Sequence, residues 1–399
     1  VVYLSPSWPP EQIEFTRGLH AIGARVWGVG DGPPGGAAEY LTGHLRVPAM
    51  GDEDDVVRRV LDWLAGRRPD RVETNWEPMV LAAARLREIL DLPGLRPRQS
   101  LPFRDKVLMH EVIAEVGLRV ARTARVRSVA EALEAAEFVG YPCVFKPVAG
   151  AGGADTFRAD SPADLRQGLA GVGHVAEASL EEWVEGQEYT YETICVDGVP
   201  VLESVCLYLP NVLVARRNEW MSPIIASVRD LDDPWIAPGL ALGRAALRAM
   251  NPGTGFTHME WFRNDAGEAI FGEVACRAPG ASMVDLLNYT LDADTFVEWA
   301  RAVCTGRVRP DLKRRHNAVM VFKRAQGQGR IREIRGLNTL LARHGDHVAR
   351  VDLLPVGAPR RDWTQTFLSD GNIVVRHPDW STAMALGRQV RDGVQLFAG

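Results

Sequence analysis

Residues 141–154 read YPCVFKPVAGAGGA, an apolar run that ends in Lys146 and passes directly into a glycine-rich segment. Such a segment can wrap phosphate oxygens with its backbone N–H groups, because glycine has no Cβ atom to block close approach. Lys146 would place a positive charge beside those phosphates. A strand that ends in an ordinary turn accounts for the same residues. Since no G-x-x-x-x-G-K-[ST] occurs and no G-x-G-x-x-G opens a helix after the first strand, a phosphate site here would belong to another fold.

A second group of polar residues lies in residues 256–274, which read FTHMEWFRNDAGEAIFGEV. Two apolar runs around the N-D-A-G turn predict a β-hairpin. His258 and Glu260 share one face of the first strand, and Glu273 on the returning strand can come beside Glu260. Two such carboxylates could hold Mg²⁺ against phosphate oxygens, although outward-facing glutamates on a hairpin are also common. Arg277 follows closely enough to bind a phosphate or a tetrahedral intermediate.

The composition favours a multidomain protein that acts on small molecules. With 399 residues and 46% apolar residues, two or three domains are expected. The net charge of -5 arises from 46 basic and 51 acidic residues without a long block of either sign, which argues against nucleic acid or an anionic membrane as a partner. The five cysteines form no C-x-x-C pair, and no signal-like or 18-residue apolar segment occurs, so we expect a cytoplasmic protein.

The pattern of apolar residues predicts three successive regions. An α/β unit is expected first, with a strand at 1–4, a helix near 11–22 and a proline-rich linker at 92–102. Ser128 and Glu131 form a capping box for a helix that Gly140 ends. Strands and helices alternate over residues 143–310, and short strands dominate from Ala318 until a final helix near 381–397.

The order of these features resembles the ATP-grasp superfamily over roughly residues 104–310. A lysine that opens a helix, Lys106, precedes the strand lysine with its glycine loop, an acidic hinge at Glu181–Val184, the paired carboxylates and an arginine. The resemblance implies an α/β (α+β ATP-grasp) fold with three domains. These would be an N-terminal Rossmann-like pre-ATP-grasp domain (1–100), an ATP-grasp domain (101–317, with a mobile lid at about 119–180) and a small β-rich C-terminal domain (318–399).

The resemblance also implies an ATP site. Lys106 and Lys146 would hold the phosphates of ATP, and the segment Ala149–Ala154 would be the mobile lid loop. Glu182 and Val184 would grip adenine through backbone groups, and Glu188 would accept the ribose hydroxyls. The nucleotide-binding residues implied in this way are Lys106, Lys146, Gly150, Gly152, Gly153, Glu181, Glu182, Trp183, Val184 and Glu188.

Glu260 and Glu273 would bind Mg²⁺, with Mn²⁺ as an alternative, and Arg277 would steady an acyl phosphate. His258 would orient the substrate, or it is a core histidine with its hydrogen bonds satisfied. One position departs from the family pattern, since Ala275 stands where an asparagine is usual. Glu192 lies on the same strand face as Glu188, and Arg216 and Arg217 could reach a substrate carboxylate, but we expect surface roles for all three.

The function implied is an ATP-dependent ligase that joins a small carboxylic acid to an amine through an acyl phosphate. Two alternatives stay open. A biotin-carboxylase-like enzyme would use bicarbonate, and would need a carrier protein because the chain has no A-M-K-M sequence. A catalytically idle nucleotide sensor would account for Ala275. A homodimer is an option, and the sequence identifies neither the acid nor the amine.

Overall fold

The computed structural model describes residues 1–148, 155–363 and 369–399. Its N-terminal unit contains a parallel sheet of four strands in the order β3-β2-β1-β4. The strands are β1 (Val2–Leu4), β2 (Trp27–Gly30), β3 (Gly43–Arg46) and β4 (Val72–Glu73), and the helices are α1 (Gln12–Ala21), α2 (Glu53–Leu64), α3 (Val80–Ile89) and α4 (Pro97–Ser100). The α/β unit predicted from the sequence is present.

A small antiparallel sheet follows, in the order β5-β8-β6-β7. Its elements are α5 (Lys106–Glu115), β5 (Thr123–Val126), α6 (Val129–Val139), β6 (Cys143–Pro147), β7 (Phe157–Ala159), α7 (Pro162–Gly171) and β8 (Ala178–Glu182). Ser128 caps α6 by accepting from the N–H of Glu131 at 3.1 Å, and the Glu131 carboxylate accepts from the N–H of Arg127 at 2.9 Å. Gly140 ends this helix with φ at 85°.

The third and largest element is an eight-stranded sheet in the order β13-β12-β9-β10-β11-β14-β17-β16, with antiparallel pairing throughout. Its strands are β9 (Gln187–Val196), β10 (Val199–Leu209), β11 (Ile224–Ser227), β12 (Gly255–Arg263), β13 (Ala269–Ala275), β14 (Asn317–Phe322), β16 (Val348–Leu353) and β17 (Gly371–His377). Strands from the predicted C-terminal domain therefore extend the same sheet as β9. The domain boundaries stay a prediction.

Helices cover this sheet, and a separate two-stranded pair joins β15 (Ile331–Arg335) to β18 (Gln395–Ala398). The helices are α8 (Val212–Arg217), α9 (Ala237–Met250), α10 (Met283–Leu291), α11 (Thr295–Thr305), α12 (Leu337–His344) and α13 (Trp380–Gly393). The prediction of a final helix to residue 397 was wrong at its end, because β18 pairs with β15 and takes up the last residues. Within the described ranges, no helix has the length and apolarity required to cross a membrane.

Aromatic packing joins the N-terminal unit to the large sheet. Phe15 of α1 lies edge-on to Phe256 of β12 and to Trp299 of α11, with ring centroids 6.0 Å and 5.1 Å apart. The two helices approach so closely that a Cβ atom on Gly18 would lie 2.6 Å from the carbonyl oxygen of Phe296. This contact fixes the position of the N-terminal unit against the remainder of the chain.

Candidate active site

A cavity of about 130 Å³, open to solvent, lies between the small antiparallel sheet and the β12–β13 edge of the large sheet. Apolar side chains form its walls, and charged side chains come together at one place in it. The apolar lining comprises Ala121, Val144, Pro147, Trp183, Val184, Val212, Leu213, Phe262 and Phe271. A cavity with apolar walls and a few convergent charges is typical of a small-molecule or cofactor site.

Both predicted lysines line this cavity. Lys106 is the first residue of α5, whose N-cap Asp105 accepts from two backbone N–H groups at 3.1 Å, and its Nζ lies 3.2 Å from Oε2 of Glu273. Lys146 ends β6, and its Nζ lies 2.7 Å from Oε2 of Glu181. Burial opposes the charge on Lys146, but Glu181 and Glu273 raise its pKa above the ordinary value. Both ammonium groups are therefore held in place beside the paired carboxylates.

The predicted carboxylate pair forms across the hairpin. Glu260 of β12 lies opposite Glu273 of β13, and the register shifts directly after Glu260. Burial opposes ionisation of Glu273, but the ammonium groups of Lys106 and Lys146 lower its pKa to about 2. Its side chain is 29% exposed and that of Glu260 is 27% exposed, so oxygens of both can be reached from the cavity.

This donor set suits a hard cation that takes its remaining ligands from phosphate. Carboxylate oxygens are the ligands that Mg²⁺ prefers, and Mg²⁺ is commonly held by one or two carboxylates together with substrate phosphates. In the described residues no group of three or more His, Cys, Asp or Glu is arranged to hold a metal ion. Ala275, at the end of β13, lies opposite His258 and supplies no ligand. Glu260 and Glu273 therefore fit a metal bound jointly with a nucleotide.

The hinge residues Glu181–Val184 line the cavity, but the first two side chains have roles that the sequence did not indicate. Glu181 is buried, holds Lys146 and accepts from Ser179 Oγ at 2.6 Å. The Glu182 carboxylate accepts from Nη2 of Arg119 at 2.8 Å. The backbone N–H of Glu182 donates to Arg122 O, so the adenine-binding role of the hinge backbone stays a prediction.

Glu188 also lines the cavity, although it is almost completely buried. One carboxylate oxygen accepts from the backbone N–H of Val212 at 2.7 Å, at the first residue of α8. Burial and the neighbouring Glu260 raise the pKa of Glu188 well above its ordinary value. Glu188 thus fixes the start of α8 at the cavity, and its contact with ribose stays a prediction.

Arg277 lies outside the cavity lining among the described residues. Its Nε and Nη2 each lie 2.8 Å from Oε2 of Glu77, and its Nη1 donates to the carbonyl of Ala278 at 2.7 Å. Arg104 binds the other oxygen of Glu77. Sequence reasoning missed Glu77, and its place four residues after β4, beyond the carboxyl end of a parallel strand, was the signal available.

His258 also lies outside that lining, next to the carboxylate pair. Its Nδ1 is 3.2 Å from Oε1 of Glu192, and its Nε2 is 3.6 Å from Oε1 of Glu260. Burial opposes the charge on the imidazole, but Glu192 and Glu260 raise its pKa to about 9. The surface role predicted for Glu192 was wrong, because this side chain is completely buried. Arg217 is exposed and Arg216 is partly buried.

Three of the predicted nucleotide-binding residues, Gly150, Gly152 and Gly153, lie outside the described residues, as does the whole predicted lid loop, 149–154. The neighbouring Val148 and Thr156 are described, and Thr156 lines the cavity.

Comparison with known proteins identifies this fold. The family model of the carbamoyl-phosphate synthase L chain, ATP-binding domain, matches residues 105–183. The crystal structure of an L-amino acid ligase from Bacillus licheniformis superimposes with a TM-score of 0.79 at 19% identity, over 100% of this chain and 98% of that one. This chain has the ATP-grasp fold. The fold class predicted from the sequence is confirmed.

Two further ATP-grasp proteins extend the comparison. The L-arginine-specific L-amino acid ligase of Bacillus subtilis is 26% identical over 226 residues, which cover 55% of this chain and about half (54%) of that protein. The biotin carboxylase domain of the Hydrogenobacter thermophilus 2-oxoglutarate carboxylase, in complex with MgADP, ADP and bicarbonate, has a TM-score of 0.69 at 15% identity, over 99% of this chain and 90% of that one. At such identities the structural likeness concerns the ATP-grasp fold alone.

Proposed function

We propose that this chain is an ATP-dependent carboxylate–amine ligase, which forms an amide or peptide bond through an acyl phosphate and releases ADP and phosphate. The observation that carries the proposal is the convergence of two ammonium groups and two carboxylates at one cavity, with Lys106 3.2 Å from Glu273 and Lys146 beside it. The likeness to a curated L-amino acid ligase supports an amide-forming reaction over other ATP-grasp chemistries.

In the first step, a carboxylate oxygen of the acid substrate attacks the γ-phosphorus of ATP, and the bond from that phosphorus to the β–γ bridging oxygen breaks. ADP leaves, and the acid becomes an acyl phosphate. Lys106 and Lys146 neutralise the charge that develops on the phosphate oxygens. Mg²⁺, or Mn²⁺ in its place, held by Glu260 and Glu273, would supply further neutralisation of that charge.

In the second step, the nitrogen of the amine substrate attacks the acyl carbon, the bond from carbon to the phosphate oxygen breaks, and the amine loses a proton. Phosphate leaves, and the amide remains. Arg277 is assigned to the acyl phosphate and the developing oxyanion, with Glu77 holding its guanidinium. Closure of the predicted lid loop would keep water from the acyl phosphate.

The test is release of ADP and phosphate from Mg-ATP against a matrix of amino acids, other carboxylic acids, amines and bicarbonate, with products identified by mass spectrometry. We expect a new amide mass that requires both an acid and an amine. Lys146→Ala should abolish the release, whereas Lys313→Ala, at an exposed lysine far along the chain, should leave it unchanged. Stimulation by bicarbonate alone would replace the proposal with a carboxylase. ATP binding without any phosphate release would indicate a nucleotide sensor.

A cytoplasmic location, a homodimer, and the absence of nucleic acid and membrane partners stay predictions.

A further inference from the structure

The register of the large sheet brings Glu192 of β9 directly opposite His258 of β12. The next pair on the same face joins Thr190 to Glu260. Since side chains two residues apart on a strand share a face, Glu192 and His258 lie on the face that carries the carboxylate pair. Glu192 lies one strand further from that pair than His258 does.

Glu192 is completely buried, and a carboxylate is rarely fully buried without a partner. Its Oε1 lies 3.2 Å from Nδ1 of His258, and its Oε2 has no hydrogen bond. In the described part of the chain, His258 is the residue with which Glu192 forms an ion pair. The carboxylate would be strongly unfavourable at this position without the imidazole.

The other ring nitrogen of His258, Nε2, faces the carboxylate pair. Nε2 lies 3.6 Å from Oε1 of Glu260, which is longer than a hydrogen bond. A histidine fixed through one nitrogen presents the other in a defined direction, as in metal sites where a carboxylate behind the ring sets its orientation. Nε2 thus faces Glu260, with which the protonated ring forms an ion pair at 3.6 Å but no hydrogen bond, so its N–H can donate to a bound molecule.

We propose that Glu192 is a positioning residue, which holds the His258 ring through Nδ1 so that Nε2 binds the acid substrate or its acyl phosphate beside Glu260. This inference rests on the proposed ligase function and adds two residues to it. Glu192 acts through His258 and touches no substrate itself.

The kinetic test compares Glu192→Gln, His258→Gln and the double variant under saturating Mg-ATP. We expect kcat to fall about 10- to 100-fold in Glu192→Gln, the range typical of residues that orient a functional histidine, with the KM for ATP little changed. The double variant should be no slower than His258→Gln alone, because both changes remove the same interaction. Glu298→Gln is the matched control, since Glu298 of α11 is also buried but binds Arg309, which follows that helix.

A spectroscopic readout keeps this test separate from that of the ligase function. In protein labelled with ¹⁵N-histidine, His258→Gln assigns the His258 signals among those of nine histidines. The Nδ1 proton should resonate far downfield in the wild type and in Glu298→Gln, and should move upfield in Glu192→Gln. Mg²⁺ with a non-hydrolysable ATP analogue and the acid substrate should shift the Nε2 signal in the wild type and in Glu298→Gln, but not in Glu192→Gln.

An Nδ1 signal that is identical in the wild type and Glu192→Gln overturns the inference, whether or not the protein proves to be a ligase. An unchanged kcat in Glu192→Gln, or multiplicative losses in the double variant, overturns it as well. If the wild type forms no amide but the Nδ1 signal behaves as expected, the ligase proposal fails and the positioning of His258 by Glu192 stands. Where Glu192→Gln proves unstable, Glu192→Asp replaces it, and the shorter carboxylate should retain part of kcat.

Discussion

Glu77 binds both Arg104 and Arg277, and its replacement by glutamine should lower the free energy of unfolding of the protein. Its Oε2 lies 2.8 Å from two nitrogens of Arg277, while Oε1 accepts from Arg104. The three side chains are 10–17% exposed, so water cannot replace the lost carboxylate effectively. Removal of one partner from such a buried pair costs about 3–5 kcal/mol. Because Arg277 would also lose its orientation, turnover should fall together with stability.

Thermal unfolding measures the effect on stability. At about 2 °C per kcal/mol for a chain of this size, Glu77→Gln should lower the unfolding midpoint by about 6–10 °C. Asp294→Asn is the control, because Asp294 also joins the N-terminal unit to the remainder of the chain, through Arg17 at 2.7 Å. That pair is 29–38% exposed and worth about 0–1 kcal/mol, and asparagine still caps α11. Equal shifts in the two variants would refute the reasoning.

The difference in stability between the wild type and Glu77→Gln should also depend on pH in a defined direction. Burial opposes ionisation of Glu77, but Arg277 and Arg104 lower its pKa below the ordinary value of 4.5. A carboxylate with a lowered pKa in the folded state contributes full stability above its ordinary pKa and loses that contribution as the pH falls. The gap between wild type and Glu77→Gln should therefore be constant above about pH 5 and shrink below it. A gap that widens in acid would contradict this.

Further predictions concern the nucleotide, the metal and the helix contact. Lys106→Met should weaken ATP binding or turnover by at least about 100-fold in calorimetry and kinetic assays, with no such loss in Lys313→Ala. Glu260→Gln should raise the Mg²⁺ concentration needed for half-maximal ADP release by about 10-fold or more, and an unchanged Mg²⁺ titration would remove Glu260 as a ligand. Gly18→Ala should destabilise by about 1–3 kcal/mol because its Cβ would meet α11, whereas Gly171→Ala, which has open space, should not.

Local patterns were sufficient for the fold and for part of the site. Alternation along a strand predicts which residues share a face, and a short polar turn predicts a hairpin, so Glu260 and Glu273 could be placed near each other from the sequence. The register shift after Glu260, which sets the two directly opposite, has no such local signal. Lys106 and Lys146 each mark the end of a local element, one opening a helix and one closing a strand. No local pattern, however, says which distant carboxylate each lysine meets.

Glu77 was missed because its partner Arg277 lies 200 residues away in the chain, and spacing carries no information over that distance. The two meet only because β4 ends next to the turn after β13, where Ala278 N–H also donates to Asn75 at 3.1 Å. Pairing across two units of a fold depends on how the units dock. In this protein the docking is set by apolar contacts such as Phe15 with Phe256, which the sequence marks only as core residues.

The surface role predicted for Glu192 was wrong for a different reason, because a polar strand face was interpreted as solvent-exposed. Glu188, Thr190 and Glu192 alternate with Tyr189 and Tyr191, and such a pattern ordinarily predicts one buried and one solvated face. In this protein both faces are buried, since all five residues are at most 6% exposed. The polar face lies against the active-site region, where Glu188 and Glu192 bind α8 and His258. A long strand with carboxylates on one face and large aromatic residues on the other therefore indicates a binding region as readily as a solvated surface. The complete burial of Glu192 excludes a solvated surface and favours a binding region for the polar face of β9.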